Sequence, residues 1–184
     1  MLRATLDACV LYPAPVRDLL LYLAAGGLYK PFWTDEINHE WVRNLLLKRR
    51  DLKEKSLHAA VAAMNAAFPD ANISDYSDLI SMLYLADKND RHVLAAAIKS
   101  ESDFLVTWNV KDFRYDELGR FSLEVQTPDY FISRLIEMNR EAAYKAFIAQ
   151  VNNLKNPPMA PSQVLQTLNK NGLKKAVAEL CKII

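Results

Sequence analysis

Cysteine is scarce in this chain of 184 residues, and its two cysteines, Cys9 and Cys181, lie near opposite ends. The sequence contains no Cys-x-x-Cys pair and no cluster of cysteine with histidine, so it predicts neither a zinc site nor a redox-active dithiol. This use of cysteine is typical of a reducing compartment. We therefore expect both thiols to be reduced and the protein to be cytoplasmic.

Long apolar runs are also missing, although hydrophobic residues make up 51% of the chain. No run approaches the ~20 residues that a membrane helix requires. Asp7 interrupts the N-terminal apolar segment where a signal peptide would continue its core. We expect a soluble intracellular protein that does not associate with a membrane.

The charges are nearly balanced, with 23 basic and 22 acidic side chains. No overall field therefore favours nucleic acid, and any binding to RNA must use a local patch. The basic segment Lys48, Arg49 and Arg50, with Lys53 and Lys55 close by, is one candidate. A solvated helix end explains this segment as well as contact with phosphates does.

Several motifs common in α/β proteins of this size do not occur. The chain has no GxxxxGK phosphate loop, no GxGxxG dinucleotide fingerprint, no GxSxG nucleophile elbow and no HExxH metal helix. Their absence argues against the best-known nucleotide-binding, hydrolase and zinc-peptidase chemistries.

Short apolar segments instead alternate with helical patterns along the chain. Strands are predicted at residues 2–6, 28–33, 103–108 and 122–126, with helices between and after them, the last two of this part at 129–138 and 141–154. Residues 71–76 are weakly strand-like, and 79–85 fit helix or strand equally. The alternation predicts a parallel α/β sheet, in which ligands collect beyond the carboxyl ends of the strands.

The pattern changes after Asn156-Pro157-Pro158, where two amphipathic helices, residues 162–169 and 173–184, form a hairpin. We expect a first domain at residues 1–138 and a helical extension at 139–184. The apolar faces of the hairpin must pack on another surface, and the same domain, a second protomer and another protein all remain open. Since no candidate site residue lies there, truncation after Leu154 is expected to spare the chemistry.

Asp90 is the first candidate functional residue. It lies four residues before Leu94 and eight before Ile98, so its side chain falls on the buried face of a helix at its first turn. An inward carboxylate at a helix start either accepts hydrogen bonds from backbone amides or lies with other acids around a cation. This segment leaves both interpretations open.

Other side chains with oxygen ligands lie at element boundaries or beside buried faces: Asp7, Glu40, Asp87, Asn109 and Asp112. Magnesium and manganese are hard cations that prefer such oxygens. An acidic pocket with a bound cation can orient water and neutralise a phosphodiester during hydrolysis.

Four segments in this order and spacing resemble the PIN domain family, and in particular the VapC-type endoribonuclease toxins of bacterial toxin–antitoxin pairs. The resemblance covers residues 2 to about 135, and residues beyond Asn139 are similar to the helical extension of one subgroup. The segments are Thr5 to Tyr12, Thr34 to Trp41, Asp87 to Ala97 and Val106 to Phe113.

The resemblance implies a role for each candidate. Asp7, Glu40 and Asp90 would be metal ligands with Asp87 as an auxiliary acid, and Asp7, Glu40, Asp90, Asn109 and Asp112 would form the catalytic set. The fourth acidic position of the family holds an amide, Asn109, which would weaken metal binding unless Asp112 compensates.

The resemblance also implies a three-layer α/β/α fold and a Mg²⁺- or Mn²⁺-dependent endoribonuclease that acts on RNA as the toxin of a type II pair. It further implies a homodimer and a cognate antitoxin that covers the acidic cleft. The alternative is a non-catalytic PIN-like module that binds RNA or another protein.

Four neighbouring residues have simpler explanations. Glu36 suits the positive end of a helix dipole, and His39 and His92 suit supporting or solvent-exposed roles. Trp108 could stack on an RNA base, but packing beside the last strand is favoured.

Overall fold

The computed structural model describes residues 1–83, 87–113 and 121–184. Within these ranges, four parallel strands form one sheet in the order β2-β1-β3-β4. The strands are β1 (Leu2–Leu6), β2 (Tyr29–Phe32), β3 (Phe104–Val106) and β4 (Glu124–Gln126). The prediction of an α/β fold with a central parallel sheet is confirmed.

Helices connect and cover the strands. They are α1 (Ala8–Leu11), α2 (Ala14–Ala25), α3 (Asp35–Lys48), α4 (Glu54–Ala67), α5 (Ser77–Ile80), α6 (Arg91–Lys99), α7 (Pro128–Met138), α8 (Arg140–Asn153), α9 (Pro161–Lys170) and α10 (Lys174–Leu180). Two short 3₁₀ turns, Lys88–Asp90 and Val110–Asp112, precede α6 and follow β3.

Helices lie on both faces of the sheet because neighbouring strand residues point in opposite directions. On one face, the Thr5 hydroxyl is within hydrogen-bonding distance of Ser100 (3.1 Å) and Ser102 (2.9 Å) at the end of α6. On the other face, Phe131 of α7 packs on Phe104, with 5.5 Å between ring centroids. This arrangement gives the three layers that the resemblance implied.

The strand order changes direction at β1, which has β2 on one side and β3 on the other. In the register of β1 and β3, Leu6 pairs with Val106, so both strands end at the same level. The backbone N–H of Asp7 continues this pairing by donating to the Val106 carbonyl at 3.1 Å. Residues after β1 and β3 therefore meet at the switch point where ligands of open α/β sheets bind.

Helix α3 carries the acidic segment that follows β2. Thr34 caps it by accepting a hydrogen bond from the Ile37 N–H at 3.1 Å. Ile37 and Trp41 are fully buried and form the inward face of this helix. Burial of that face fixes the rotation of α3, and Glu40 on the same helix lies next to His92 of α6.

The C-terminal hairpin packs on its own chain: α10 lies on α7, and α9 contacts α2 and α8. The carboxylate of Asp129 in α7 accepts backbone hydrogen bonds at the start of α10, from Lys175 at 3.0 Å and Ala176 at 2.8 Å. Leu168 and Leu173 are fully buried. The structure thus selects the first of the docking surfaces that the sequence left open.

Some predicted elements differ from the structure. Residues 71–76 form no strand and contribute a single parallel bridge between Asn72 and Trp33. The ambiguous segment 79–85 includes the end of the short helix α5, and its residues 84–86 lie outside the described ranges. No helix in the described ranges is long and apolar enough to cross a membrane.

Candidate functional site

Asp7 lies at the end of β1 and is only 4% exposed. Its Oδ2 accepts a hydrogen bond from the Thr107 hydroxyl at 2.7 Å and from the Cys9 thiol at 3.0 Å. Burial and the charge of Asp7 raise the pKa of Cys9 to about 12, so its thiol stays protonated and can donate. Asp7 is thus a buried carboxylate with one oxygen held in place.

Thr107 links Asp7 to the Asn109 segment. While its hydroxyl donates to Asp7, the same Oγ1 accepts the backbone N–H of Asn109 at 3.0 Å. Asn109 in turn accepts the N–H of Asp112 at its carbonyl, at 2.9 Å. Thr107 and Cys9 were not among the predicted site residues, although each lies two positions from one of them, Asn109 and Asp7 respectively.

Asp90 stands where the 3₁₀ turn passes into α6, and its side chain does not cap that helix. Its Oδ2 is buried, and no hydrogen-bond partner reaches it in the described part of the chain. Asp87 provides the cap instead, by accepting the Asn89 N–H at 2.9 Å. The capping interpretation therefore applies to Asp87, while Asp90 presents an unpaired oxygen.

The electrostatics of Asp90 connect the candidate acids. Burial, followed by the negative charges of Asp7, Asp87, Asp112 and Glu40, raises the pKa of Asp90 to about 6. Like charges act in this way only at short range. The acids predicted from separate segments therefore share one local field.

Glu40 is half-buried, and its Oε2 lies 3.5 Å from Nε2 of His92. Nδ1 of His92 lies 3.7 Å from Oε2 of Glu36, which also accepts the Tyr76 hydroxyl at 3.1 Å. Burial opposes a charge on His92, but Glu40, Glu36 and Asp7 outweigh it, so the pKa of His92 is raised. A protonated His92 would hold both glutamates in place.

A cleft of about 870 Å³ borders the acidic group on the Glu40 side. Its walls include Arg43 of α3, Lys88 of the 3₁₀ turn, and His39, which is exposed. The cleft gives an extended ligand access to Glu40.

The same geometry bears on metal binding. Within residues 1–83, 87–113 and 121–184, no three His, Cys, Asp or Glu side chains are placed as a ready-made metal site. The donors near Asp90 are nevertheless carboxylate oxygens, which suit Mg²⁺ or Mn²⁺. The buried, unpartnered Oδ2 of Asp90 is the atom that such a cation would satisfy.

A family model described as "PIN domain" matches residues 3–111. This chain belongs to the PIN domain family. A second model, the "VapC50 C-terminal domain", matches residues 128–182. The prediction of a VapC-type PIN protein with a C-terminal helical extension is confirmed, and the boundary between residues 138 and 139 stays a prediction.

One similar protein, "Putative ribonuclease VapC50" from Mycobacterium tuberculosis, is 33% identical over 95 residues. The match covers 52% of this chain and 56% of that protein, so the chain spans about half the length of the curated relative it matches. No solved structure matches the chain.

Proposed function

We propose that this PIN protein is a Mg²⁺- or Mn²⁺-dependent endoribonuclease. The observation that carries the proposal is the buried Oδ2 of Asp90, which has no hydrogen-bond partner in the described part of the chain. The negative charges of Asp7 and Glu40 also act on this carboxyl. Membership of the PIN family and the ribonuclease named among the similar proteins support it.

Asp7 and Asp90 would hold the cation, with Glu40 and Asp87 contributing further negative charge. In the described part of the chain, both side-chain hydrogen bonds to Asp7 fall on Oδ2, so Oδ1 would be available to a cation. A bound cation of this kind would supply a polarised water and neutralise charge on the phosphodiester.

The remaining residues act on these ligands. Thr107 and Cys9 fix the orientation of Asp7, and His92 restrains Glu40. Asn109 offers an amide oxygen at the carboxyl end of β3, with Asp112 one short turn later. Because the acids repel one another, a bound cation would offset the repulsion between their charges.

RNA is the proposed substrate, and the cleft beside Glu40 is its proposed approach. Arg43 and Lys88 on the cleft walls can pair with phosphates that pass toward the acids. The family membership further supports a role as the toxin of a type II pair, with a cognate antitoxin, a homodimeric state and a cytoplasmic location.

A non-catalytic PIN-like module that binds RNA or protein is the second candidate. The amide at Asn109 favours it, because this position contributes less negative charge than a carboxylate would. Weak cation binding together with retained RNA binding would identify this case.

Cleavage of total RNA by the purified protein tests the proposal, with Mg²⁺, Mn²⁺ or EDTA in parallel reactions. We expect cleavage with either cation and none with EDTA. Asp7→Asn and Asp90→Asn should each abolish cleavage while the protein remains folded. Metal-independent cleavage, or equal cleavage by these variants, would contradict the proposal.

A further inference from the structure

Trp108 lies between the acidic site and the C-terminal hairpin. It immediately follows Thr107, which binds Asp7, and its backbone N–H donates to the sulfur of Cys9 at 3.3 Å. Its half-buried ring extends to Gly172, in the turn between α9 and α10. The short segment 107–109 is therefore held from both sides.

Gly172 allows this close contact. Its φ of +92° is in the left-handed region, and a Cβ added there would lie 3.0 Å from Cη2 of Trp108. The same Cβ would lie 3.5 Å from Cζ3 and 3.6 Å from Cζ2. A side chain at residue 172 would thus press on the face or edge of the Trp108 ring.

The turn that carries Gly172 is itself anchored. Leu168 before it and Leu173 after it are fully buried. Asp129 binds two backbone N–H groups at the start of α10, at 3.0 and 2.8 Å. Because the turn is fixed to α7 and the core, it can restrict the position of the Trp108 ring.

We propose that the C-terminal hairpin positions the metal-binding end of β3 through the contact of Gly172 with Trp108. Trp108 is then a positioning residue: it holds Thr107 against Asp7 and sets the place of Asn109. The inference rests on the proposed function for what the site does, and it differs from the expectation that truncation of the hairpin spares the chemistry. The sequence did not reveal this contact because 64 residues separate the two positions.

The test compares Gly172→Ala with a matched control, Gly27→Ala. Gly27 also has a positive φ, +77°, but a Cβ there would meet nothing within 4 Å. Both variants place alanine in the same unfavourable backbone region, so both should lose stability through backbone strain. Only Gly172→Ala displaces the ring of Trp108.

Three measurements are made on the full-length proteins: amide hydrogen exchange at residues 107–109, Mn²⁺ affinity by calorimetry, and kcat and KM for RNA cleavage. For Gly172→Ala we expect faster exchange at residues 107–109. Mn²⁺ affinity and kcat should each fall about tenfold, which is the smaller of the losses typical when a residue that orients metal ligands is replaced. Gly27→Ala should match the wild type in Mn²⁺ affinity and kcat, and any faster exchange caused by its lower stability should not be concentrated at residues 107–109. A purely structural role would leave Gly172→Ala with the Mn²⁺ affinity of Gly27→Ala and with no added exchange at residues 107–109, which would overturn the proposal.

Trp108→Phe keeps the test decisive if Gly172→Ala does not fold. The smaller ring retracts from Gly172 without backbone strain, and exchange at 107–109 should again increase; unchanged exchange would overturn the inference. If the wild type cleaves no RNA, the proposed function fails, but the exchange comparison still decides whether the hairpin holds this segment.

Discussion

Replacing Asp90 with asparagine should stabilise the protein near neutral pH although it ends cleavage. Asparagine keeps the size of the side chain and removes a charge that burial and four neighbouring carboxylates disfavour. The pKa rises from 3.8 to about 6, and about two units correspond to roughly 3 kcal/mol for a fully buried group. Asp90 is only half-buried, so solvent screening reduces the expected gain to about 1 kcal/mol.

The sign of the pH dependence follows from the direction of this shift. The folded state raises the pKa of Asp90, so it favours the protonated carboxyl. The stability that this contributes is fully present below the ordinary pKa of about 4 and is lost as the pH rises through about 6. The advantage of Asp90→Asn should therefore be absent near pH 4 and complete above about pH 6.

Urea denaturation without divalent cations, repeated from about pH 4 to about pH 7.5, measures the effect. Asp70→Asn is the control, because Asp70 is an exposed acid in the turn after α4. Added Mn²⁺ should then stabilise the wild type more than Asp90→Asn, since ligands that bind the folded state raise its stability. A loss of stability in Asp90→Asn at neutral pH, with cleavage intact, would show that Asp90 is structural and refute the reasoning.

Three further substitutions probe the ligands and their supports. Asn109→Asp should tighten Mg²⁺ binding by adding charge and Asn109→Leu should weaken it; equal calorimetric affinities would remove Asn109 from the site. Thr107→Val leaves Asp7 without its hydroxyl donor. We expect the free energy of unfolding in urea to fall by about 1–3 kcal/mol and Mn²⁺ binding to weaken. An unchanged Mn²⁺ affinity would show that Thr107 contributes only to folding. Asp129→Ala removes the carboxylate that caps α10 and should lower the stability of the fold by about 1 kcal/mol. Amide hydrogen exchange should increase first within α10, and unchanged protection of its amides would show that Asp129 does not cap the helix.

Local patterns were sufficient for most of the elements. The apolar segment at residues 2–6 predicted β1, and the spacing of Asp90, Leu94 and Ile98 predicted α6. Burial imposes periods of two residues on strands and 3.6 residues on helices. The strand predicted at residues 71–76 was wrong. A partly apolar segment has a strand-like pattern whether or not the edge of a sheet is available to pair with it. Only the sheet order shows that this segment contributes a single bridge.

The sequence by itself determined that Asp7 and Asn109 follow strands, since the carboxyl ends of parallel strands share one edge of the sheet. It did not determine which acid caps the turn before α6: Asp87 and Asp90 are both suitable residues, and only the packed helix separates the capping carboxylate from the unpaired one. The bond between Thr107 and Asp7 spans 100 positions, so it depends on the register of β1 with β3. Such contacts belong to the tertiary structure because side chains distant along the chain meet only when sheet register and helix packing bring them together.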